Sequence, residues 1–385
     1  MKILYLSLPG FADSDFPLVR EYQRRGEDVT YVLDLIPISK RSTIIDIKDI
    51  IQENGLIKAA RYKELLPYKE YLDFDKFYIL NRTSNRRYSL KSLSLMMDFS
   101  NFIKKEKFDV IHCTYPFRAF DTILYRFSHK MVMTFHDPFP HTGEKNFLKE
   151  VYRKIAIKMV KRFVLLNQGQ KERFIREYCI SNDNVLVNQM GVFDYLNIFD
   201  KSKHDKSFRV LFFGRISPYK GLEYLCKAFL KVREQIKNAE LIIAGGGKIY
   251  FDFTPYKNKK YIHLYNKYID TPSLVEFLSD CAFTICPYTD ATQSGVILTS
   301  FSLKKPVIAS NVGALGEMVE SEKTGLLVEP KDIDALANAI ISLFKNPDKL
   351  SDFENAIDKE FIHGNKSWKV IAQKYIDYYQ ITTQR

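Results

Sequence analysis

Between residues 283 and 319 the chain reads FTICPYTDATQSGVILTSFSLKKPVIASNVGALGEMV, a stretch that few folds can accept. Residues 283–286 form a short apolar run that stops at Pro287. A polar loop follows, 288–294, and ends on Gly295. Residues 296–303 carry a helical pattern, with Lys304 and Lys305 at its end, where cations suit the helix dipole. Residues 306–310 read as a second buried strand, and 313–317 as a second turn opening a helix. Consecutive strands separated by helices pair in parallel and are covered on both faces. A strand, a glycine-containing loop and a helix N-terminus also leave backbone N–H groups free at the strand's C-terminal end. That arrangement suits an anion, and two such units side by side predict a pocket there.

The same alternation runs through the rest of the chain. Residues 2–8, 29–33, 108–113, 131–135, 162–166 and 185–188 read as strands, with helices over 16–25 and from 170. Residues 197–207 are polar and without pattern, the best place for a linker. A second series begins at 209–213 and continues through 240–244, 261–264, 283–286, 306–309 and 326–328. Its helices are expected over 222–235, 272–280, 296–303, 315–321 and 333–345, and a last aromatic-rich helix over 367–379. A chain of 385 residues is long enough for two domains.

Residues 40–107 are less regular. Ile44, Ile45, Ile47, Ile50, Ile51 and Ile57 recur near helical spacing among Lys48, Lys58, Arg61 and Lys63. Arg82, Arg86, Arg87, Lys91, Lys104, Lys105 and Lys107 follow. Residues 40–130 hold 18 Lys/Arg against 11 Asp/Glu, a surplus of +7 within a chain of net charge +12. Such a surface attracts polyanions. One reading is a basic amphipathic face lying on an anionic membrane; the other is the solvated side of elements packed on a sheet. No RNP, zinc or helix-turn-helix signature supports nucleic acid as a partner.

Residues 2–8 read as a strand and are too short for a signal peptide's apolar region. No run approaches the roughly 20 apolar residues of a membrane helix. A cytoplasmic protein, peripheral at the inner face of the membrane, is expected. The five cysteines lack metal-type spacing and read as buried thiols. Neither a metal site nor a cofactor is expected.

Three further places carry chemistry. FFGRISPYKG (212–221) ends a strand on Gly214 and brings Arg215 and Lys220 before a helix start; a guanidinium, an ammonium and free N–H groups suit a diphosphate. LIIAGGGK (241–248) is neither a P-loop nor a GxGxxG turn, but Gly245, Gly246 and Gly247 would let something large and flat lie against the backbone. His136 ends a strand beside Asp137, with prolines behind it, and suits a hydrogen-bond donor or general base. His112 reads as a satisfied core histidine. Gly10, after the first strand, either admits a ligand to the backbone or makes a tight turn.

Together, FGRISPYKG, the 286–319 block, TFHD, NQMGV and TGLLVEPKDIDALANAI resemble the retaining glycosyltransferases of family 4, which have the GT-B fold. The resemblance covers nearly the whole chain, is strongest over 208–345 and weakest over 35–105. It implies an α/β chain of two Rossmann-like domains facing across a cleft: an acceptor-side domain, 1–196 joined by a C-terminal helix at 365–385, and a nucleotide-sugar-binding domain, 205–364. It implies transfer of a sugar from a nucleoside-diphosphate sugar to an acceptor hydroxyl, on a lipid-linked or cell-surface glycan, without a metal. Arg215 and Lys220 would hold the diphosphate, helped by the backbone of Ser294, Gly295 and Val296. Gly214, Gly245 to Gly247, Tyr268 and Ile269 would border the nucleotide. Glu317 falls in the family's G-G-x-x-E segment, and His136 matches its histidine near the transferred sugar. The family's two glutamates, eight positions apart, are replaced here by Ala291 and Thr299. Asp290, Thr292, Gln293, Ser294 and Thr299 are then expected to hold the donor in their place, as in a variant subgroup. Two other readings stay open: a nucleotide-sugar epimerase of the same fold, and a non-catalytic partner of an active transferase.

Overall fold

The computed structural model describes the chain except residues 43, 140–146, 201–207, 292, 293, 384 and 385. Thr292, Gln293 and most of the expected linker therefore lie outside the described residues. The chain divides into two compact units, Met1–Gly191 with Trp368–Arg385, and Val192–Ser367. The change after Gly191 comes ahead of the expected boundary at 196, because Val192 packs with Cys286, Tyr288 and Ile297 in the second unit's core.

The first unit runs β1 (Lys2–Ser7), α1 (Ala12–Arg24), β2 (Asp28–Leu35), β3 (Gly55–Lys58), β4 (Phe77–Asn81), α2 (Leu90–Glu106), β5 (Val110–Cys113), β6 (Met131–Phe135), α3 (Phe147–Met159), β7 (Arg162–Leu165), α4 (Lys171–Tyr178) and β8 (Val185–Val187). Among the described residues these strands form one sheet, ordered β3-β4-β2-β1-β5-β6-β7-β8. All pairs are parallel except β3 with β4. Ile3, Leu4 and Leu6 of central β1 are fully buried, as a continuous apolar run between parallel neighbours must be.

The second unit runs β9 (Arg209–Phe213), α5 (Leu222–Gln235), β10 (Glu240–Ala244), α6 (Thr254–Lys257), β11 (Ile262–Tyr265), α7 (Thr271–Asp280), β12 (Phe283–Cys286), α8 (Gly295–Ser302), β13 (Val307–Ser310), α9 (Leu315–Met318), β14 (Gly325–Val328), α10 (Ile333–Lys345) and α11 (Pro347–Ile357). Its parallel sheet is ordered β11-β10-β9-β12-β13-β14. The chain then ends in α12 (Trp368–Thr383), which packs on α1 in the first unit. Among the described residues no helix is long and apolar enough to cross a membrane.

Several expectations need correction. The described residues of 40–58 form no α-helix; they end in edge strand β3. Ile44, Ile45, Ile47 and Ile57 are buried in the core, so their spacing reflects irregular packing rather than a helical face. Helix α1 starts at Ala12, ahead of the expected 16, because Pro17 lies inside the helix rather than at its first turn, where proline is commonest. Cys179 is exposed, unlike the other four cysteines. Lys305 does not serve its own helix's end. It is buried and donates to the carbonyls of Ser279 (3.2 Å) and Cys281 (2.8 Å), where α7 ends.

Arg82 and Arg87 are not surface cations either. Arg82 Nε donates to Asp34 Oδ1 (2.6 Å) and its Nη2 to Asp121 Oδ1 (2.9 Å). Arg87 Nη1 bonds Asp34 Oδ2 at 3.0 Å and also Asp121. Tyr115 OH donates to Asp34 Oδ2 at 3.1 Å. Two carboxylates and two guanidiniums thus neutralise one another where β2 and β4 end.

A second buried carboxyl behaves differently. Asp15 accepts from Tyr5 OH (3.0 Å) and Tyr31 OH (3.1 Å). Burial drives its pKa up to about 8, although the hydroxyls oppose the shift. A folded-state value above the unfolded one favours folding below about pH 4, and that contribution is lost as pH rises through 8. Wild-type stability should therefore fall by a few kcal/mol relative to Asp15→Asn between pH 5 and pH 9. Denaturant melts of both proteins across that range check this; parallel curves would refute it.

Candidate functional site

In the second sheet, β9, β10 and β11 succeed one another on one side, while β12, β13 and β14 do so on the other. The chain order therefore switches between β9 and β12, the point of such a sheet at whose C-terminal edge ligands bind. The loops flanking it are 214–221 and 287–294.

The first loop is held by Gly214 N–H bonding to Ala244 C=O at 2.9 Å and Ile216 N–H to Gly246 C=O at 3.0 Å. A 3-10 turn, Pro218–Lys220, follows, and Gly221 (φ +67°) closes it before α5. A methyl at Gly221 would lie 1.8 Å from Pro287 O, so only glycine lets the two loops meet this closely. Thr289 N–H donates to Tyr219 C=O at 2.7 Å, joining them further.

This framework buries Lys220. Its residue is 8 % exposed, and Nζ donates to Tyr288 OH at 2.5 Å while lying 4.3 Å from the ring centroid. Burial lowers its pKa. Among the described residues no carboxylate pairs with it. A Cβ built on Gly214 would lie 3.5 Å from Lys220 Nζ and 3.6 Å from Val296 Cγ2, so the ammonium and the first turn of α8 meet above Gly214. Ser294, the residue preceding α8, is 4 % exposed and lies beside Tyr288 and Cys286. A buried ammonium, the positive end of a helix and a buried hydroxyl beside Tyr288 lie together. An anion answers all three.

The remaining candidates are placed as follows. Arg215 is exposed on the first loop, Asp290 on the second, Gly295 at the start of α8, and Glu317 on α9. Gly313 (φ +50°) brings the turn after β13 against the 287–294 loop, since a methyl there would lie 1.6 Å from Ala291 O. Thr299 is buried in α8. Two of the three glycines after β10 are required by the chain's own packing. Positions that would carry Cβ atoms at Gly245 and Gly247 are filled by Gly214 O (1.9 Å) and Ile216 O (2.3 Å). What lies flat against them is the chain's own first loop. A Cβ at Gly246 would meet the Lys267 carbonyl carbon at 3.4 Å, next to exposed Tyr268 and half-buried Ile269.

His136 belongs to the first unit. It stacks on Phe11 with ring centroids 3.8 Å apart and planes at 8°, and it borders a cavity of about 20 Å³ together with Tyr5, Ser14, Thr134, Gln189 and Tyr375. Burial pushes its pKa down to about 4, so the ring is neutral near pH 7. His112 is fully buried and satisfied, as expected: Nε2 bonds Thr134 Oγ1 at 2.7 Å and Nδ1 bonds Tyr379 OH. Gly10 sits in a 3-10 turn, and a methyl there would meet no atom within 4 Å.

Sequence reasoning missed Tyr288 and Phe11. Tyr288 stands directly after a strand-ending proline, the one signal that could have marked it. Phe11 gives no signal, since its partner is remote in sequence.

Two family descriptions match the chain, "Glycosyltransferase Family 4" over residues 18–192 and "Glycosyl transferases group 1" over 207–346. An uncharacterised glycosyltransferase of Methanocaldococcus jannaschii is 26% identical over 178 residues, 46% of this chain and 45% of that protein. The chain thus aligns with under half of that relative's length. The UDP-Gal:alpha-D-GlcNAc-diphosphoundecaprenol alpha-1,3-galactosyltransferase of Escherichia coli is 26% identical over 306 residues, 72% of this chain and 78% of that enzyme. The crystal structure of a glycosyltransferase from Rickettsia africae superposes with a TM-score of 0.68 at 17% identity, covering 100% of this chain and 99% of that one.

Proposed function

Because the chain belongs to the family 4 glycosyltransferases of the GT-B fold, we propose that it moves a sugar from a nucleoside-diphosphate sugar to a hydroxyl of a lipid-linked glycan, with retention and without a metal. The observation that carries the reading is Lys220, a buried ammonium without a carboxylate partner among the described residues, facing the N-terminus of α8. The donor's diphosphate supplies the missing charge. In the reaction, the bond from the sugar's anomeric carbon to the β-phosphate oxygen breaks. A bond to the acceptor oxygen forms on the same face, and the acceptor's proton passes to the departing phosphate. Lys220, Arg215 and the free N–H groups of α8 meet the charge that grows on the leaving group, in the way electrostatic preorganisation lowers a barrier. Their cations take the part a divalent ion would otherwise play. His136 is neutral at working pH and offers the transferred sugar a hydrogen bond rather than a charge. Ser294 and Thr299 hold the donor where Ala291 and Thr299 replace the family's glutamates. The acceptor class is suggested by the E. coli relative, whose name specifies a diphosphoundecaprenol-linked substrate. Attachment to the inner face of the membrane goes with it.

The test is a thermal-shift screen across nucleoside diphosphates and their sugars, followed by turnover of the best donor in chelator. One diphosphate series should raise the melting temperature through linkage, and product should form at an unchanged rate in chelator with the donor's anomeric configuration. No stabilisation by any nucleotide would sink the reading, and an inverted product would sink its stereochemistry.

A further inference from the structure

Helix α3 has two apolar faces. Ala156 is buried on one and packs in the first unit's core with Val160, just past the helix. On the other, Leu148, Val151, Ile155 and Met159 recur every three or four residues. Leu148 is 63 % exposed, and Ile155 and Met159 also face water. A helix packed on a sheet needs one apolar stripe; the second is left largely open by the described residues.

The exposed stripe continues beyond α3. Tyr152 OH and Tyr88 OH share a hydrogen bond, which brings the segment before α2 beside it. Tyr88 is 70 % exposed and Leu90, the first residue of α2, 82 %. Asn85 Oδ1 accepts from Ile38 N–H at 2.9 Å, so exposed Ile38 joins the same region. Charges border these groups. Arg86, Lys91, Lys154 and Lys158 are all exposed, and Glu150, the only acid in α3, is paired with Arg153 at 2.7 Å. A contiguous exposed apolar patch marks an interaction site. Lysines alongside an apolar stripe fit a bilayer with acidic headgroups, where the stripe enters the acyl boundary and the ammonium groups stay at headgroup level.

We propose that this surface, formed by the outer stripe of α3 with Ile38, Tyr88 and Leu90, docks the protein on an anionic lipid membrane. It places the attachment on α3 and the start of α2 rather than on the isoleucines of 40–58, of which Ile44, Ile45, Ile47 and Ile57 are core. The inference deepens the reading of a lipid-linked acceptor and rests on it, yet binding is measured without turnover. Flotation with phosphatidylglycerol-containing vesicles should carry the full chain upward, with little movement on pure phosphatidylcholine and loss at high salt. Lys154→Ala with Lys158→Ala should weaken binding about 30-fold, at about fivefold per lysine. Leu148→Ser with Ile155→Ser should weaken it at least about tenfold. Both changes are on the surface and should leave the nucleotide-induced melting shift intact, so that shift reports separately on the function proposed above. Equal binding to neutral vesicles, or unchanged binding by both variants, would overturn the proposal. So would a dimer that these substitutions split while wild type ignores vesicles, since a second copy would then cover the patch.

Discussion

Lys220→Met is expected to lower sugar transfer by at least about 100-fold and to abolish stabilisation by the nucleoside diphosphate, while leaving the ligand-free protein as stable as wild type or more so. Removing one group that meets developing charge typically costs about 100- to 1000-fold in rate. Lys220 has no substitute here, because the other loop cation, Arg215, is exposed to solvent. Arg215→Ala should therefore cost less, on the order of tenfold, and the double variant should show no turnover. The stability expectation follows from the same geometry. The ammonium is buried against Tyr288 and Gly214, and burial lowers its pKa. Without its anion it is a desolvated charge, and methionine fills similar space without that cost. A purely structural lysine would show the reverse pattern. Steady-state rates and melting curves with and without nucleotide decide the matter. A Lys220→Met protein that binds and transfers as wild type does would remove the basis for the site.

Asp34→Ala should destabilise the first unit by about 3–5 kcal/mol, the usual cost of breaking a buried ion pair from one side. For a unit of this size that is on the order of 10 °C in melting temperature. Asp34 is fully buried and touches Arg82, Arg87 and Tyr115. Without it, two guanidiniums share Asp121 alone. Asp34→Asn should cost less, since it keeps an acceptor for Tyr115 and Arg82. Calorimetry of both variants tests this, and unchanged melting of Asp34→Ala would show that the cluster contributes little to stability. The nucleotide response should persist in whatever fraction remains folded, because Asp34 lies in a different unit from Lys220.

Much of the fold was legible because a parallel sheet buries its strands on both faces. Residues 210–213 and 241–244 are unbroken apolar runs, each behind one charged residue, and 283–286 is apolar apart from Thr284; 209–213, 240–244 and 283–286 are strands with the expected bounds. Helices over 222–235 and 333–345 were equally plain, since a periodic stripe that packs on a sheet leaves a regular mark. Residues 40–107 resisted. Edge strand β3 and its neighbour β4 are short, and the segment between β2 and β3 buries Ile44, Ile45 and Ile47 without regular structure. Helix α2 was lost in the same stretch, although Ser89 accepts from Ser92 N–H at its start.

The local sequence by itself determined the placement of the candidate site. A strand, a glycine and a polar loop ahead of a helix carry their own backbone chemistry, so loops 214–221 and 287–294 could be marked before their positions were known. Only the tertiary structure decided what each side chain does there. Lys220 became a buried, carboxylate-free cation because Gly221 lets its turn close on Pro287. The triple glycine became a seat for a neighbouring loop, and Lys305 a cap for another helix. Arg82 and Arg87 became half of an interior charge cluster, while the apolar face that meets water turned up on α3. Spacing along a chain records which groups share a face of one element. Which partner that face meets depends on contacts between residues far apart in sequence, and those exist only once the units have folded.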